Sequence, residues 1–372
     1  MTAEREELRL ETIIAHVGAV TDKVTGALTT PITMSTAYAH PALGQSTGYD
    51  YTRTANPTRD VLQDALARLE GGVAGFATSS GMAAVDLLIG TLAPGSRIVT
   101  TEDLYGGSYR LLGELSASGA HRVDFVHGED GLLAALQTPA DLVLMETPTN
   151  PMMVEVSIPA IAAASRAAGA LLAVDNTFYT PVFQQPLAEG ADIVLHSATK
   201  YLGGHNDVLA GALVTGREDL AQALAARLNT TGATLSPFDS WLLMRGIKTL
   251  ALRMERHQAN ARRVAAALEA SEHVARVYYT GRGGMISFDP AEHVDMPAIL
   301  THVRLFTFAE SLGGVESLIT CPAVQTHMDV PRERRLAYGL SDTLLRLSVG
   351  LEHPDDLVAD LLGALEAAAI RQ

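Results

Sequence analysis

The stretch LLAVDNTFYTPVFQQPLAEGADIVLHSATKYLGGHNDVLAG, residues 171–211, decides how the chain folds. It opens on an apolar run, Leu171 to Asp175, that ends in an acid. A second run follows, Ile193 to His196, ending just before Ser197 and Lys200. Short apolar runs bounded by Gly, Pro, Asp or Asn read as buried strands. Outward from this stretch, between about residues 60 and 215, helical patterns rich in Ala and Leu, such as Ile158 to Ala168, alternate with further runs of the same kind. These are Arg97 to Thr100, Val123 to Val126, Leu142 to Glu146 and Ala212 to Thr215. Such alternation predicts an α/β fold with a mostly parallel sheet. Ligands of open sheets of this type sit at the carboxyl ends of the strands, so polar residues just after these runs are the first candidates for a site.

Beyond residue 240 the pattern changes. Ser240 to Ala270 reads as one or two long amphipathic helices, followed by short strands at Arg276 to Tyr279 and Met285 to Phe288. Pro354 to Ile370, with Asp355 and Asp356 in its first turn, reads as a terminal amphipathic helix. Residues 1–50 show weaker periodicity with several Gly, Pro and Thr. The expected organisation is an extended arm over residues 1–50, a large domain over 51–239 and a smaller carboxyl-terminal α/β domain over 240–372. A chain of 372 residues with 47% hydrophobic content can build one large core and a second, smaller one.

Charge and cysteine usage narrow the partners. With 27 basic and 42 acidic residues the formal charge is -15, and no basic block interrupts it, so nucleic acid is not an expected ligand. Cys321 is the only cysteine, which excludes an intrachain disulfide and a thiolate metal cluster and suits a reducing cytoplasm. Met1 to Thr12 carries four glutamates and two arginines where an export signal needs a basic start and an apolar run. Apolar runs such as Ala168 to Val174 are far shorter than the ~20 residues that span a bilayer.

Asp175 at the end of one expected strand and Lys200, 25 residues later and just past the end of another, can reach one crevice. A lysine there can form a Schiff base with an aldehyde, and an aspartate can keep a pyridine nitrogen protonated so that the ring accepts electrons. The pair predicts a site for pyridoxal 5'-phosphate (PLP). An opposite charge in hydrogen-bond reach shifts a pKa by ~1–3 units, or about 1.4–4 kcal/mol, enough to decide the ring's protonation. A phosphate needs a cradle, and Thr78-Ser79-Ser80-Gly81-Met82 leads into the helical pattern AAVDLLIGTLA, whose first N–H groups would bind a dianion. Ser197 and Thr199 can add hydroxyls to the same phosphate. Plain alternatives stand beside each reading. Asp175 can cap a turn, Lys200 can be solvated, and Ser-Gly before a helix is often only a cap. Ser197-x-x-Lys200 could be a hydrolase pair, but its Ser-Asp-Asn and Lys-Thr-Gly companions are missing. His196 and His205 have no spacing that suits a metal and read as structural histidines, so no metal is expected.

Eight ordered motifs span nearly the whole chain: YDYTRTANPT (49–58), SSGMAA (79–84), DLYGGSYR (103–110), ETPTNP (146–151), VDNTF (174–178), HSATKYLGGH (196–205), ESLGGVESL (310–318) and LLRLSVGLE (344–352). On these the chain resembles the PLP-dependent enzymes of Cys/Met metabolism, the trans-sulfuration enzymes. The resemblance implies a fold-type-I, aminotransferase-like architecture and a homotetramer made of two active dimers. It implies that Lys200 carries the cofactor and that Tyr105 packs over its ring, the two being the catalytic residues. Ser80, Gly81, Met82, Thr177, Ser197 and Thr199 would join Asp175 in binding PLP, with Asn150 near the ring hydroxyl. Tyr51 and Arg53 would reach across a dimer interface to the neighbour's phosphate.

Arg346, with Asn150 and Ser317, would clamp a substrate carboxylate; an arginine inside LLRLSVG needs a buried partner or costs several kcal/mol. Asp50, Arg110 and Glu316 would face the distal end of a zwitterionic amino acid. Gly107 stands where the methionine gamma-lyases of the family usually have cysteine. The expected reaction is replacement at the gamma carbon of an O-acylhomoserine by cysteine or sulfide. Beta- or gamma-elimination is the alternative within the family. A Ser-Lys hydrolase and a binding protein are the alternatives outside it.

Overall fold

The computed structural model describes residues 8–370, so Met1 to Glu7 of the expected arm and Arg371 and Gln372 at the end lie outside the described residues. The larger of its two sheets contains β1 (Ala74–Thr78), β2 (Arg97–Thr101), β3 (Arg122–Val126), β4 (Leu142–Glu146), β5 (Leu171–Asp175), β6 (Ile193–His196) and β7 (Gly211–Thr215). Their spatial order is β1-β7-β6-β5-β4-β2-β3. Strands β2 to β6 pair in parallel, while β7 runs antiparallel to both neighbours. The mostly parallel sheet expected from the sequence is present.

Both faces of this sheet are covered, so successive residues of a central strand enter different cores. Leu142 and Leu144 pack with the helix Gly81–Ile89. Val143 and Met145 pack with the helix Ile158–Ala168. All five residues of β4 are therefore buried, which is why the run is apolar without alternation. The helix ends follow local rules. Ser157 caps Ile158–Ala168 through the Ala160 N–H, and Gly169 ends it at φ 76°. Sequence reading passed over β1 because AGFAT holds one bulky apolar residue. Gly75 is there for space, since a Cβ would lie 2.4 Å from the Gln63 carbonyl oxygen of the helix Pro57–Glu70.

The smaller sheet contains β8 (Val274–Tyr278), β9 (Met285–Pro290), β10 (Thr307–Phe308), β11 (Leu318–Thr320) and β12 (Leu345–Ser348), ordered β10-β11-β12-β9-β8. Only the β10–β11 pair is parallel. The long helical stretch before it is two helices, Pro237–Ile247 and Leu250–Glu269, broken at Lys248 and Thr249. No helix among the described residues is long and apolar enough to cross a membrane.

His257 ties the second of these helices to the end of β12. Its ring is fully buried, donates from Nδ1 to the Val349 carbonyl at 2.7 Å and meets the Tyr201 ring edge-on at 5.1 Å. Burial pushes this imidazole down to about 4. An unfolded histidine titrates near about 6.5, so the neutral ring's contribution is complete above that pH. It is lost as pH falls from about 6.5 toward about 4, up to roughly 3 kcal/mol. His257→Asn should therefore cost stability at neutral pH, and that deficit should narrow as pH falls. Urea midpoints of the two proteins at about pH 7.5 and about pH 5 check this; a deficit independent of pH would contradict it.

Candidate active site

A cavity of about 260 Å³ opens at the carboxyl ends of β4, β5 and β6. Asp175 ends β5, opposite Glu146 at the end of β4, and Ser197 to Lys200 follow β6 directly. The chain therefore delivers two carboxyls and a lysine to one place because three neighbouring parallel strands stop at the same level. Asp175 Oδ1 accepts hydrogen bonds from the Thr177 N–H at 2.9 Å and from the Thr177 hydroxyl. That hydroxyl also accepts the Ser197 N–H at 2.8 Å, which stitches the end of β5 to the end of β6.

Burial raises both carboxyls. Glu146 is pushed well above its ordinary value, by burial first and by the Asp175 charge second, while Asp175 is held lower by Thr177 and by nearby His196. Glu146 thus keeps the proton and Asp175 carries the charge. Glu146 also accepts the Tyr105 backbone N–H at 2.8 Å, which seats the start of the helix Gly106–Ala117 and with it the Tyr105 ring. A Cβ at Gly107 would lie 2.5 Å from that ring, so this tyrosine orientation requires glycine there.

Two basic side chains also line the cavity. Lys200 Nζ donates to Ser311 Oγ at 2.8 Å, and its amine is pushed down to about 8, chiefly by burial and then by Arg346. Ser311 holds φ at 101°, in the left-handed region, where a side chain costs on the order of 1–3 kcal/mol. Arg346, on β12, is 2% exposed and pushed down to about 10 by burial. It donates to Asn150 Oδ1 at 2.8 Å and to the Ser311 carbonyl at 3.1 Å, and its Nε has no partner. Among the described residues it pairs with no carboxylate.

Glycines bring the third wall close. A Cβ at Gly81 would lie 2.9 Å from Ser197 Cβ, and one at Gly211 would lie 2.1 Å from the Ser80 carbonyl oxygen. Ser80 caps the helix Gly81–Ile89 through the Ala83 N–H at 3.1 Å, and helix geometry leaves the first N–H groups, those of Gly81 and Met82, without intrahelical acceptors.

The structure thus gathers Ser80, Gly81, Met82, Tyr105, Asn150, Asp175, Thr177, Ser197, Thr199, Lys200 and Arg346 around one cavity. Thr199 is the least available of them, since its hydroxyl donates to the Ala210 carbonyl and accepts the Ala210 N–H. Other expected residues lie outside the cavity in the single chain. Tyr51 is half exposed and Arg53 donates to the Asn229 carbonyl at 3.0 Å. Asp50 accepts from Ser46, and Arg110 is paired with Asp329 at 2.5 Å. Glu316 accepts from Asn206, and Ser317 is buried against Glu352 and the Gly350 N–H. His196 is buried against Glu70, and His205 donates to the Gly203 carbonyl.

Sequence reading missed Glu146 and Ser311. Glu146 closes a recognised strand, so the rule about strand ends could have found it. Ser311 has no local signal, because its backbone geometry is set by packing.

The donor set fits PLP. Asp175 offers a charged acceptor for a ring nitrogen, Lys200 a buried amine, and Gly81 and Met82 an anion cradle left open by a missing Cβ.

Comparison with known proteins agrees. The sequence profile described as "Cys/Met metabolism PLP-dependent enzyme" matches residues 11–366. The chain is 52% identical over 359 residues to a cystathionine gamma-synthase/O-acetylhomoserine (thiol)-lyase of Bacillus subtilis (strain 168), covering 96% of each chain. It is 45% identical over 375 residues to a cystathionine beta-lyase of Lactococcus lactis subsp. cremoris (strain MG1363), covering 96% of this chain and 99% of the other. The crystal structure of cystathionine gamma synthase from Xanthomonas oryzae pv. oryzae in complex with aminoacrylate and cysteine superposes with a TM-score of 0.94. It shares 41% identity and covers 97% of this chain and 98% of that one. The expected α/β fold of the PLP-dependent transferases is thereby established.

The chain has three lysines, Lys23, Lys200 and Lys248. PLP followed by borohydride should leave a pyridoxyl group on Lys200, detected by peptide mass spectrometry and absent from Lys200→Ala. A label on Lys23 or Lys248 with Lys200 unmodified would overturn the assignment.

Proposed function

Because this chain belongs to the Cys/Met metabolism PLP-dependent enzymes, we propose that it catalyses gamma-replacement on an O-acylhomoserine, giving cystathionine from cysteine or homocysteine from sulfide. One observation carries the reading. A buried amine pushed down to about 8 shares with Asp175 a cavity that also holds a guanidinium without a carboxylate partner. An α-amino acid supplies that carboxylate, and bidentate pairing with Arg346 would orient it while Asn150 holds the other side of the guanidinium.

When bound, PLP supplies an electron sink that makes the substrate's Cα and Cβ protons acidic. Lys200 would bind the cofactor and then, freed by substrate, carry protons between Cα, C4' and Cβ. An amine titrating near 8 can both accept and return them near neutral pH. Lys200 would take the Cβ proton as the Cγ–O bond breaks and the acyloxy group leaves as a carboxylate, and would return a proton to Cβ when a thiol adds at the gamma carbon. Asp175 would keep the ring nitrogen protonated, and neutral Glu146 adds no competing charge beside it. Tyr105 would cover the ring from above. Gly81, Met82, Ser80, Ser197 and Thr199 would hold the phosphate, with Thr177 orienting Asp175.

The surrounding organisation extends the proposal. Residues 1–50 serve as an arm, 51–239 as the PLP-binding domain and 240–372 as the carboxyl-terminal domain. The protein works in the cytoplasm on small amino acids, without nucleic acid or membrane, as a homotetramer of two active dimers. Tyr51 and Arg53, exposed in the single chain, would complete a neighbour's phosphate site, and Asp50, Arg110, Glu316 and Ser317 would bear on the distal end and carboxylate of the substrate. The Ser-Lys hydrolase alternative falls with the family assignment; Lys200 also donates to Ser311 rather than to Ser197.

Elimination is the second reading, favoured by the relatives named as lyases. PLP-loaded enzyme given O-acetylhomoserine and cysteine should form cystathionine faster than it releases 2-oxobutanoate, and should cleave cystathionine slowly. Rapid cleavage of cystathionine, with none formed from O-acetyl- or O-succinylhomoserine, would make it a lyase.

For the shared site, inactive Arg53→Ala and inactive Lys200→Ala proteins should regain part of their activity when mixed. Subunit exchange followed with labelled chains and giving no activity would exclude it.

A further inference from the structure

The loop Cys321–Val330, which follows β11 of the smaller sheet, places His327 against Asn150 in the loop after β4. His327 is fully buried. Its Nε2 lies 2.9 Å from the Asn150 carbonyl oxygen, and its Nδ1 lies 2.9 Å from the Thr326 hydroxyl. A carbonyl only accepts, so Nε2 carries the hydrogen, and Nδ1 of the neutral ring accepts from Thr326. Thr326 itself lines the cavity, and its carbonyl packs on Gly106, where a Cβ would stand 2.1 Å away. Asn150 is thus gripped twice: its backbone by His327, its side chain by Arg346 at 2.8 Å.

We infer that His327 is a positioning residue for the substrate carboxylate. By holding the Asn150 backbone it fixes the amide that aims the Arg346 guanidinium, and so it sets affinity for carboxylate-bearing ligands without touching them. The inference rests on the proposed role of Arg346. The arrangement has a physical logic, because an arginine held only by neutral groups keeps its direction only if those groups are themselves immobile. Asn150 lies in a loop, and His327 supplies the anchor from the loop that follows β11.

The variants His327→Gln and His327→Asn separate this role from simple packing. Glutamine reaches the Nε2 position and retains the donor to Asn150, whereas asparagine stops short of it. In PLP-loaded enzyme, His327→Asn should raise KM for O-acetylhomoserine roughly tenfold with kcat within about twofold, and His327→Gln should stay near wild type. Binding read by the cofactor's absorption should repeat the pattern. L-alanine should bind His327→Asn roughly tenfold more weakly, and ethylamine, which lacks the carboxylate, should bind equally to all three proteins.

Arg346→Ala is the control for the underlying reading. If it keeps the preference for alanine over ethylamine, the carboxylate clamp and this inference both fall. If it loses that preference while the asparagine and glutamine variants behave alike, the role of His327 falls and the clamp survives. Nitrogen NMR of histidine-labelled wild-type holoenzyme, assigned by difference from His327→Gln, guards against misfolded variants. It should show the hydrogen on Nε2, and a hydrogen on Nδ1 would overturn the inference.

Discussion

A guanidinium buried to 2% exposure and answered only by neutral groups is the constraint on which this site is organised. Burying an unpaired charge is expensive, and the structure offsets it by drawing hydrogen bonds from two distant loops onto Arg346. Asn150 comes from the loop after β4 and Ser311 from the loop before β11. The arginine therefore ties the two sheets together at the cavity. Burial first and its charge second lower the Lys200 amine and the His327 imidazole, the latter to about 4.

The opposite wall has the complementary problem. Two carboxyls meet where β4 and β5 end side by side, and both cannot ionise in a buried space. Thr177 decides between them by giving Asp175 two hydrogen bonds, while Glu146 has the Tyr105 N–H. The cavity is consequently polarised, with negative charge by Asp175 and positive charge by Arg346. Such a cavity would suit a ligand with a cationic ring at one end and a carboxylate at the other. Glu146, which holds the proton because of burial and the Asp175 charge, also seats Tyr105 by accepting its N–H, so electrostatics and ring position meet at one side chain.

Several features of the fold exist to keep this space open. Gly81, Gly107 and Gly211 each stand where a Cβ would collide with Ser197, Tyr105 or Ser80. Ser311 accepts left-handed backbone geometry in order to face Lys200. These positions sacrifice local preference for a tertiary fit, which is common at sites where geometry matters more than stability.

Much of this was legible from local chemistry. Leu142–Glu146, Leu171–Asp175 and Ile193–His196 were readable to the residue because a strand covered on both faces must be apolar throughout and ends where polar residues begin. Asp175, Lys200 and the Ser80 cap followed, since strand ends and helix starts are where backbone groups and side chains are free to meet a ligand. The sequence could not show β1, whose small residues serve close packing, nor the contact between Lys200 and Ser311, 111 residues apart. It could not show that the Asp175 charge helps keep Glu146 protonated, because that depends on β4 and β5 being neighbours. Nor could it show that Arg346 finds neutral partners in place of a carboxylate. Periodicity and capping act within a few residues and are written in the chain, whereas charge pairing and burial depend on which distant segments the fold brings together.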